Sequence, residues 1–138
     1  MRFAGYAALF DRVDRGGDVV RPGAFARAVA AGPAEVPLLW QHEPGRPIGR
    51  IERLAEDKRG LRVIGRLSEN SAAGREAAAL LKDGALGGLS FGYRVRAKHD
   101  GATRELTDLE LVEVSLVTMP MQPGARVHAV EKTLGSDA

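Results

Sequence analysis

The chain has 138 residues, which suits one compact domain, and 44% of them are apolar, enough to build a core. Its net charge of +2, with basic and acidic residues interspersed, argues against a nucleic-acid partner. Because cysteine is absent and only three histidines are present, the composition excludes disulfides and a cysteine nucleophile and argues against a metal site.

Strand-like patterns dominate the chain. Segments with alternating or continuous apolar residues predict strands. In chain order they are residues 2–10, a short stretch before Pro22, 35–42, 48–56, 61–68, 89–98, 104–119 and 126–130. The polar string "EPGRP" after the third of these predicts a turn, and "DKRG" between the fourth and fifth predicts a hairpin.

Two segments have the composition and end signals of helices. The first covers about 23–31, with a proline near its first turn and a glycine just beyond its end. The second, 70–84, is rich in alanine, glutamate and leucine, and either Asn70 or Ser71 can cap its start.

The resulting order is β-β-α-β-β-β-α-β-β-β, which does not fit a repeat of parallel strand–helix–strand units. It predicts a mainly β fold, a small antiparallel β-barrel, closed or nearly closed, with about two flanking helices. We expect a single domain over 1–131 and a flexible tail over 132–138. No apolar run approaches the length of a transmembrane helix and the first residues lack a signal-peptide pattern, so we expect a cytoplasmic protein without a membrane partner.

The string Gly88-Leu89-Ser90-Phe91-Gly92 fits the G-x-S-x-G pattern of the nucleophile elbow in many serine hydrolases. An elbow needs a strand before the serine and a helix after it. Here a predicted helix precedes Ser90 and an alternating strand follows it. An esterase-like hydrolase is therefore disfavoured, and only a helix directly after Ser90 would revive it.

The alternation of side chains along the strand gives a different reason to consider Ser90 functional. Leu89 and Phe91 share an apolar face, whereas Gly88, Ser90 and Gly92 share the other. Glycine inside a strand often marks the close approach of another backbone, so Gly88 and Gly92 are candidate substrate-binding positions that leave clearance for an extended substrate. The alternative is a bulge or barrel corner with a solvated serine.

A nucleophilic serine needs a neighbouring base, and His42 and Glu113 are the candidate base and acid. His42 ends an apolar strand, where it is either held rigidly at a rim or simply exposed. His99 lies in a predicted turn and is less suitable, whereas His128 is harder to dismiss. Glu113 lies mid-strand among apolar residues, where an ionised carboxylate needs a partner. A histidine would meet that need and be oriented by it, although an arginine is the alternative partner, and Ser115 shares the same strand face.

Five segments, spread over nearly the whole chain, carry a resemblance to a known family. They are "GYAALFDRVDRGGDVVRPGAF", "LLWQHEPGRPIGRI", "RGLRVIGRLS", "LLKDGALGGLSFGY" and "DLELVEVSLVTMPMQPGARV". In these segments the chain resembles the prohead (capsid maturation) proteases of tailed bacteriophages, whose fold is similar to that of the herpesvirus assemblin serine proteases. The family's catalytic histidine falls on His42, its serine on Ser90 and its acid on Glu113.

The resemblance implies a small β-barrel with surrounding helices and serine endopeptidase activity during procapsid maturation, with no cofactor. The implied substrates are the scaffolding region of the major capsid protein and the protease itself, within the procapsid in the host bacterial cytoplasm. Self-association is a further possibility, since assemblin relatives dimerise. The alternative is a catalytically silent assemblin-like module that assists capsid assembly, with His42 turned away and Glu113 paired to an arginine.

Overall fold

The computed structural model describes residues 1–131, which form eight strands, two α-helices and one short 3₁₀ helix. In chain order these are β1 (Arg2–Leu9), β2 (Asp18–Val20), α1 (Ala26–Ala31), the 3₁₀ helix (Pro33–Glu35), β3 (Pro37–Trp40), β4 (Glu43–Glu56), β5 (Gly60–Leu67), α2 (Ala72–Lys82), β6 (Gly88–Asp100), β7 (Arg104–Val117) and β8 (Val127–Glu131). The predicted order of strands and helices is confirmed. The predicted tail, 132–138, lies outside the described residues.

The strands form one sheet in which β7 has the most partners. The strand order is β2-β7-β3-β4-β5-β1-β8, and β6 also pairs with β7. Two pairings correct the prediction of an antiparallel sheet, because β2 and β3 both run parallel to β7. The helix α1 lies between β2 and β3 in the chain, and such a crossover lets two short strands approach one long strand in the same direction.

The mainly β class with two α-helices is confirmed, but closure into a barrel is not, since the named strands of residues 1–131 leave the sheet open. Just before β8, Arg126 makes an isolated bridge to Gly88 at the start of β6. The Leu89 amide donates to the Ala125 carbonyl at 2.9 Å. The edge of β6 is therefore covered as far as Leu89, and among the described strands β6 pairs only with β7.

The turn predicted at "EPGRP" is wrong. Residues 43–47 belong to β4, and Trp40 pairs with Glu43 across a two-residue turn made of Gln41 and His42. Their φ angles are 49° and 62°, and positive φ at both central residues is the mark of a type I′ hairpin. The prolines are tolerated because the β3–β4 ladder shifts register in this region. His42 therefore lies in the turn rather than at the end of a strand.

Helix α2 closes one side of the core. Ser71 is its N-cap and accepts a hydrogen bond from the Gly74 amide at 3.0 Å, so this predicted cap is confirmed. Ala77 and Leu81 on the inner face are buried. Within residues 1–131, neither helix is long and apolar enough to cross a membrane.

The apolar face of β6 fixes the direction in which Ser90 points. Leu89 is fully buried, the Phe91 ring packs edge-on against Phe25 with 5.2 Å between centroids, and the Tyr93 ring lies 5.0 Å from Phe91. Burying one such side chain contributes roughly 1.5–3 kcal/mol. Since these rings occupy one face of the strand, Ser90 projects from the other.

Candidate active site

His42 is presented by the two-residue turn between β3 and β4, and hydrogen bonds tie this turn to β7 and the residue after it. The Gln41 amide donates to the Leu116 carbonyl at 3.0 Å, and the His42 amide donates to Ser115 Oγ at 3.0 Å. The Gln41 side-chain oxygen accepts from the Thr118 amide at 3.1 Å. A residue other than glycine at positive φ is unfavourable by roughly 1–3 kcal/mol, so these long-range bonds hold a conformation that the local sequence disfavours.

Glu113 lies beneath this turn and is only 7% exposed. Its Oε1 lies 2.5 Å from His42 Nδ1, and its Oε2 accepts a hydrogen bond from Ser115 Oγ at 2.5 Å. Both carboxylate oxygens are thus bonded, which is what a buried carboxylate requires. The partner is the histidine, and none of the ion pairs described within 1–131 joins Glu113 to an arginine.

The carboxylate also sets the proton chemistry of His42. The hydrogen bond that His42 donates to Glu113 raises the pKa of His42 above its usual 6.5, against the opposing effect of partial burial. With Nδ1–H donating to the carboxylate, the neutral ring keeps an unprotonated Nε2 that can accept a proton. The imidazole side chain is 45% exposed, so this second nitrogen has access to a substrate.

Ser90 lies on the same face of the β6–β7 ladder as the histidine–carboxylate pair. Its ladder partner across β7 is Ser115, and Gly92 is the partner of Glu113. Directly opposite residues in a ladder have Cβ atoms about 4.5–5.5 Å apart, so the Ser90 side chain stands beside Ser115. The hydrogen bonds described for residues 1–131 include none between Ser90 Oγ and the His42 ring. Such contacts are often loose before a substrate binds.

The two glycines that flank Ser90 make room for the protein's own atoms. A Cβ placed on Gly92 would lie 2.6 Å from Glu113 Oε1, and one placed on Gly88 would lie 2.8 Å from Pro120 Cδ. The clearance that the sequence attributes to a substrate strand is therefore filled on one side by the carboxylate and on the other by the loop after β7. Ser90 stands between these two groups.

The remaining candidates from the sequence are not brought to this site. His99 lies at the exposed far end of β6, and the His128 ring packs 5.8 Å from the ring of Tyr6. After Ser90, β6 continues as a strand to Asp100, so the helix that an elbow requires is not there. Among residues 1–131, no group of three or more histidine, aspartate and glutamate side chains is arranged to hold a metal ion.

Two residues of this site were missed by the sequence patterns. The Gln41 side chain makes hydrogen bonds with the side chain and the backbone amide of Thr118, just past β7, and these bonds anchor the turn. Neither residue type marks a site by itself, and the contact joins positions 77 apart in the chain. The one available signal was the proximity of Gln41 to His42, because a histidine that must be held in place needs anchored neighbours.

Comparison with known proteins places the chain in a family. The family model described as caudovirus prohead serine protease matches residues 1–136. The chain is 32% identical over 139 residues to the prohead protease of Enterobacteria phage HK97, covering 96% of this chain and 61% of that protein. It is 30% identical over 142 residues to the prohead protease of Escherichia phage T5, covering 99% and 66%. The chain thus spans just under two thirds of the length of these two relatives.

Solved structures share the fold at much lower identity. The bacteriophage T4 capsid assembly protease gp21 superposes with a TM-score of 0.69 at 15% identity, covering 86% of this chain and 82% of that one. The KSHV protease in complex with a hexapeptide phosphonate inhibitor superposes with a TM-score of 0.63 at 16% identity, covering 91% and 63%.

Proposed function

The chain belongs to the caudovirus prohead serine protease family, and on this premise we propose that it is a serine endopeptidase acting in procapsid maturation. Ser90 is the nucleophile, His42 the general base and then the general acid, and Glu113 the residue that orients His42. The observation that carries the proposal is the hydrogen bond from His42 Nδ1 to the buried Glu113 on the Ser90 face of the sheet.

The chemistry follows from the proton positions. Ser90 Oγ attacks the peptide carbonyl while His42 Nε2 accepts its proton, and Glu113 stabilises the imidazolium that forms. His42 then gives the proton to the leaving amine, and an acyl-enzyme remains. A water molecule, deprotonated by the same Nε2, hydrolyses the ester and regenerates Ser90. Backbone N–H groups near the carbonyl oxygen supply the oxyanion stabilisation.

An extended peptide pairs with β6 where its edge is free, beyond Leu89, by adding a strand to the sheet. Gly92, in the free part of the edge, serves this binding through its backbone, whereas Gly88 serves it indirectly, because its missing side chain admits Pro120 beside the site. The proposal includes a small β-barrel, and the bridge between Arg126, just before β8, and Gly88 in β6 supports it.

The substrates are the scaffolding region of the major capsid protein and the protease itself, cleaved inside the procapsid in the host bacterial cytoplasm. Support comes from the HK97 and T5 relatives, which are named prohead proteases, and from the fold shared with a capsid assembly protease. Self-association of the chain within that particle belongs to the same proposal.

The test is co-expression of the chain with the major capsid protein of its own source. The native chain shortens the capsid protein, and Ser90→Ala abolishes this because the hydroxyl that forms the acyl-enzyme is lost. Ser68→Ala, at a serine just after β5, is the matched control and keeps the activity. Full processing by a folded Ser90→Ala variant would contradict the proposal and favour a capsid-assembly module without catalysis.

A further inference from the structure

The loop that follows β7 lies on the Ser90 side of the sheet. Pro120 occupies the space over Gly88, two residues before Ser90, just as Glu113 occupies the space over Gly92, two residues after it. Because side chains alternate along a strand, positions 88, 90 and 92 share one face. The loop 118–122 is therefore the wall of the site opposite the histidine–carboxylate pair.

Burial alternates along this wall. Pro120 and Gln122 are buried, whereas Met119 is 70% exposed and Met121 is 48% exposed. Side chains that point inward fix the loop to the body of the protein, and the two methionines are left on the outside.

The inward contacts hold the loop firmly. The Gln122 side chain makes a pair of hydrogen bonds with the backbone of Leu9, accepting from its amide at 2.7 Å and donating to its carbonyl at 2.8 Å. At the other end, the Thr118 amide donates to the side-chain oxygen of Gln41, in the β3–β4 turn, at 3.1 Å. The Met121 carbonyl accepts from the Arg15 amide at 3.3 Å. These contacts hold the loop in a conformation that leaves both methionines exposed.

We propose that Met119 and Met121 form an apolar wall of the substrate cleft and select an apolar side chain next to the scissile bond. The inference rests on the proposed protease function and adds its substrate class. Methionine suits this task because its unbranched thioether side chain adapts to apolar groups of different shape. Pro120, which lies between the two methionines in the chain, is over Gly88 on the face that carries Ser90, and this is why we assign them to the rim of that face.

Such a wall gives a moderate selectivity. An apolar contact discriminates between substrates by about 10- to 200-fold per group, whereas charge opposite charge can reverse the preference. An acidic residue placed on the wall should therefore turn selection from apolar toward basic substrate side chains. Loss of folding cannot imitate a change of this kind.

The experiment compares cleavage of a peptide library, made by digesting a bacterial proteome, by the native chain and by Met119→Glu and Met121→Glu. The matched control is Val130→Glu, which places the same charge on an apolar residue 45% exposed in β8. New termini are identified by mass spectrometry, and a fluorophosphonate reports the nucleophilicity of Ser90 in every variant.

The native chain should favour apolar residues at one position beside the cleaved bond by about tenfold. Met119→Glu or Met121→Glu should lose that selection and gain cleavage at basic residues, with Ser90 labelled as in the native chain. Met119→Leu and Met121→Leu should keep the native preference for apolar residues. Val130→Glu should keep it as well.

Two outcomes overturn the inference and are distinguishable from each other. In the first, Ser90 is labelled and peptides are cleaved, but both glutamate variants keep the same preference for apolar residues as Val130→Glu. The methionine wall is then wrong and the protease function stands. If the native chain neither cleaves in a Ser90-dependent way nor reacts with the fluorophosphonate, the proposed function fails and the wall fails with it.

Discussion

Two tight turns, one at each end of β4, are built in opposite ways. The turn between β4 and β5 is held chiefly by its own residues, since Asp57 accepts from the Arg59 amide at 2.8 Å and from the Gly60 amide at 3.2 Å. The turn between β3 and β4 is made of Gln41 and His42, both at positive φ, and its hydrogen bonds go to β7 and to Thr118.

The two turns differ in whether their residues favour the turn conformation by themselves. Aspartate and glycine are residues that favour turns by themselves, so the local sequence already specifies the β4–β5 turn, and the hydrogen bond from the Tyr6 hydroxyl to Asp57 only adds to it. Glutamine and histidine are poor choices for a type I′ turn, in which asparagine and glycine are preferred. A locally unfavourable choice that distant contacts hold in place is the mark of a functional position.

The largest effect should come from exchanging His42 for glycine. His42→Gly removes the proposed general base, so kcat/KM should fall by about 10⁶-fold, as happens when a serine protease loses its catalytic histidine. Glycine also suits positive φ, which offsets part of the cost of leaving the buried Glu113 without its partner, so the free energy of unfolding should fall by no more than about 2 kcal/mol. Activity assays and urea denaturation measure the two quantities on the same sample.

The matched change in the other turn is Asp57→Ala. It should lower the free energy of unfolding by about 1 kcal/mol, because the aspartate bonds to two backbone amides and to the Tyr6 hydroxyl, and should leave kcat/KM unchanged. If His42→Gly instead unfolds the protein, or Asp57→Ala abolishes activity, the contrast between the turns is not the one described.

The second effect concerns Glu113. Glu113→Gln keeps the size of the side chain but removes its charge, so kcat/KM should fall by about 10⁴-fold. Activity needs neutral His42 and is lost as the pH falls through the pKa of His42, which the carboxylate holds above its usual value. The acidic limb of the pH–rate profile should therefore move to lower pH in Glu113→Gln, and an unmoved limb would speak against the pair.

The same pair has a signature in stability. Because the pKa of His42 is raised on folding, its contribution to the free energy of unfolding is fully present below pH 6.5 and is lost as the pH rises through the folded-state pKa. The ring is 45% exposed, so solvent screening keeps this contribution small. Denaturation curves at several pH values should show it in the native chain and not in Glu113→Gln.

The smallest effect should follow from Gln41→Ala, which leaves every group of the proposed triad in place. Loss of the side-chain contacts to Thr118 should lower the free energy of unfolding by about 1 kcal/mol and kcat by about tenfold. KM should change little, since Gln41 positions His42 and does not contact the peptide in this proposal. The control is Arg46→Ala in β4, where the arginine makes only a long surface hydrogen bond to Glu76. It should change neither the free energy of unfolding nor kcat.

Local patterns predicted much of this molecule. The succession of strands and helices follows from alternating apolar residues and from caps such as Ser71. The need of Glu113 for a partner follows from a charge placed among apolar neighbours, and the structure supplies His42. In both cases residues close in the sequence carry the information.

What failed depended on contacts distant in the sequence. "EPGRP" has the composition of a turn, yet the chain turns two residues earlier, because β7 fixes Gln41 and His42 there. The parallel course of β2 and β3 beside β7 arises from one shared partner strand and cannot be read from either short segment alone. Pairing direction is set by tertiary packing, which single-sequence patterns do not encode.

The glycines at 88 and 92 carry a lesson for how such a site is surveyed. Alanine scanning assigns importance by deleting side chains, and these two positions have nothing to delete. Their contribution is an absence, a hydrogen where any other residue would press a methyl group against Glu113 or Pro120. A survey by deletion would credit the acid and the loop and overlook the two residues that let them stand so close to Ser90. Only a survey that adds atoms can detect them.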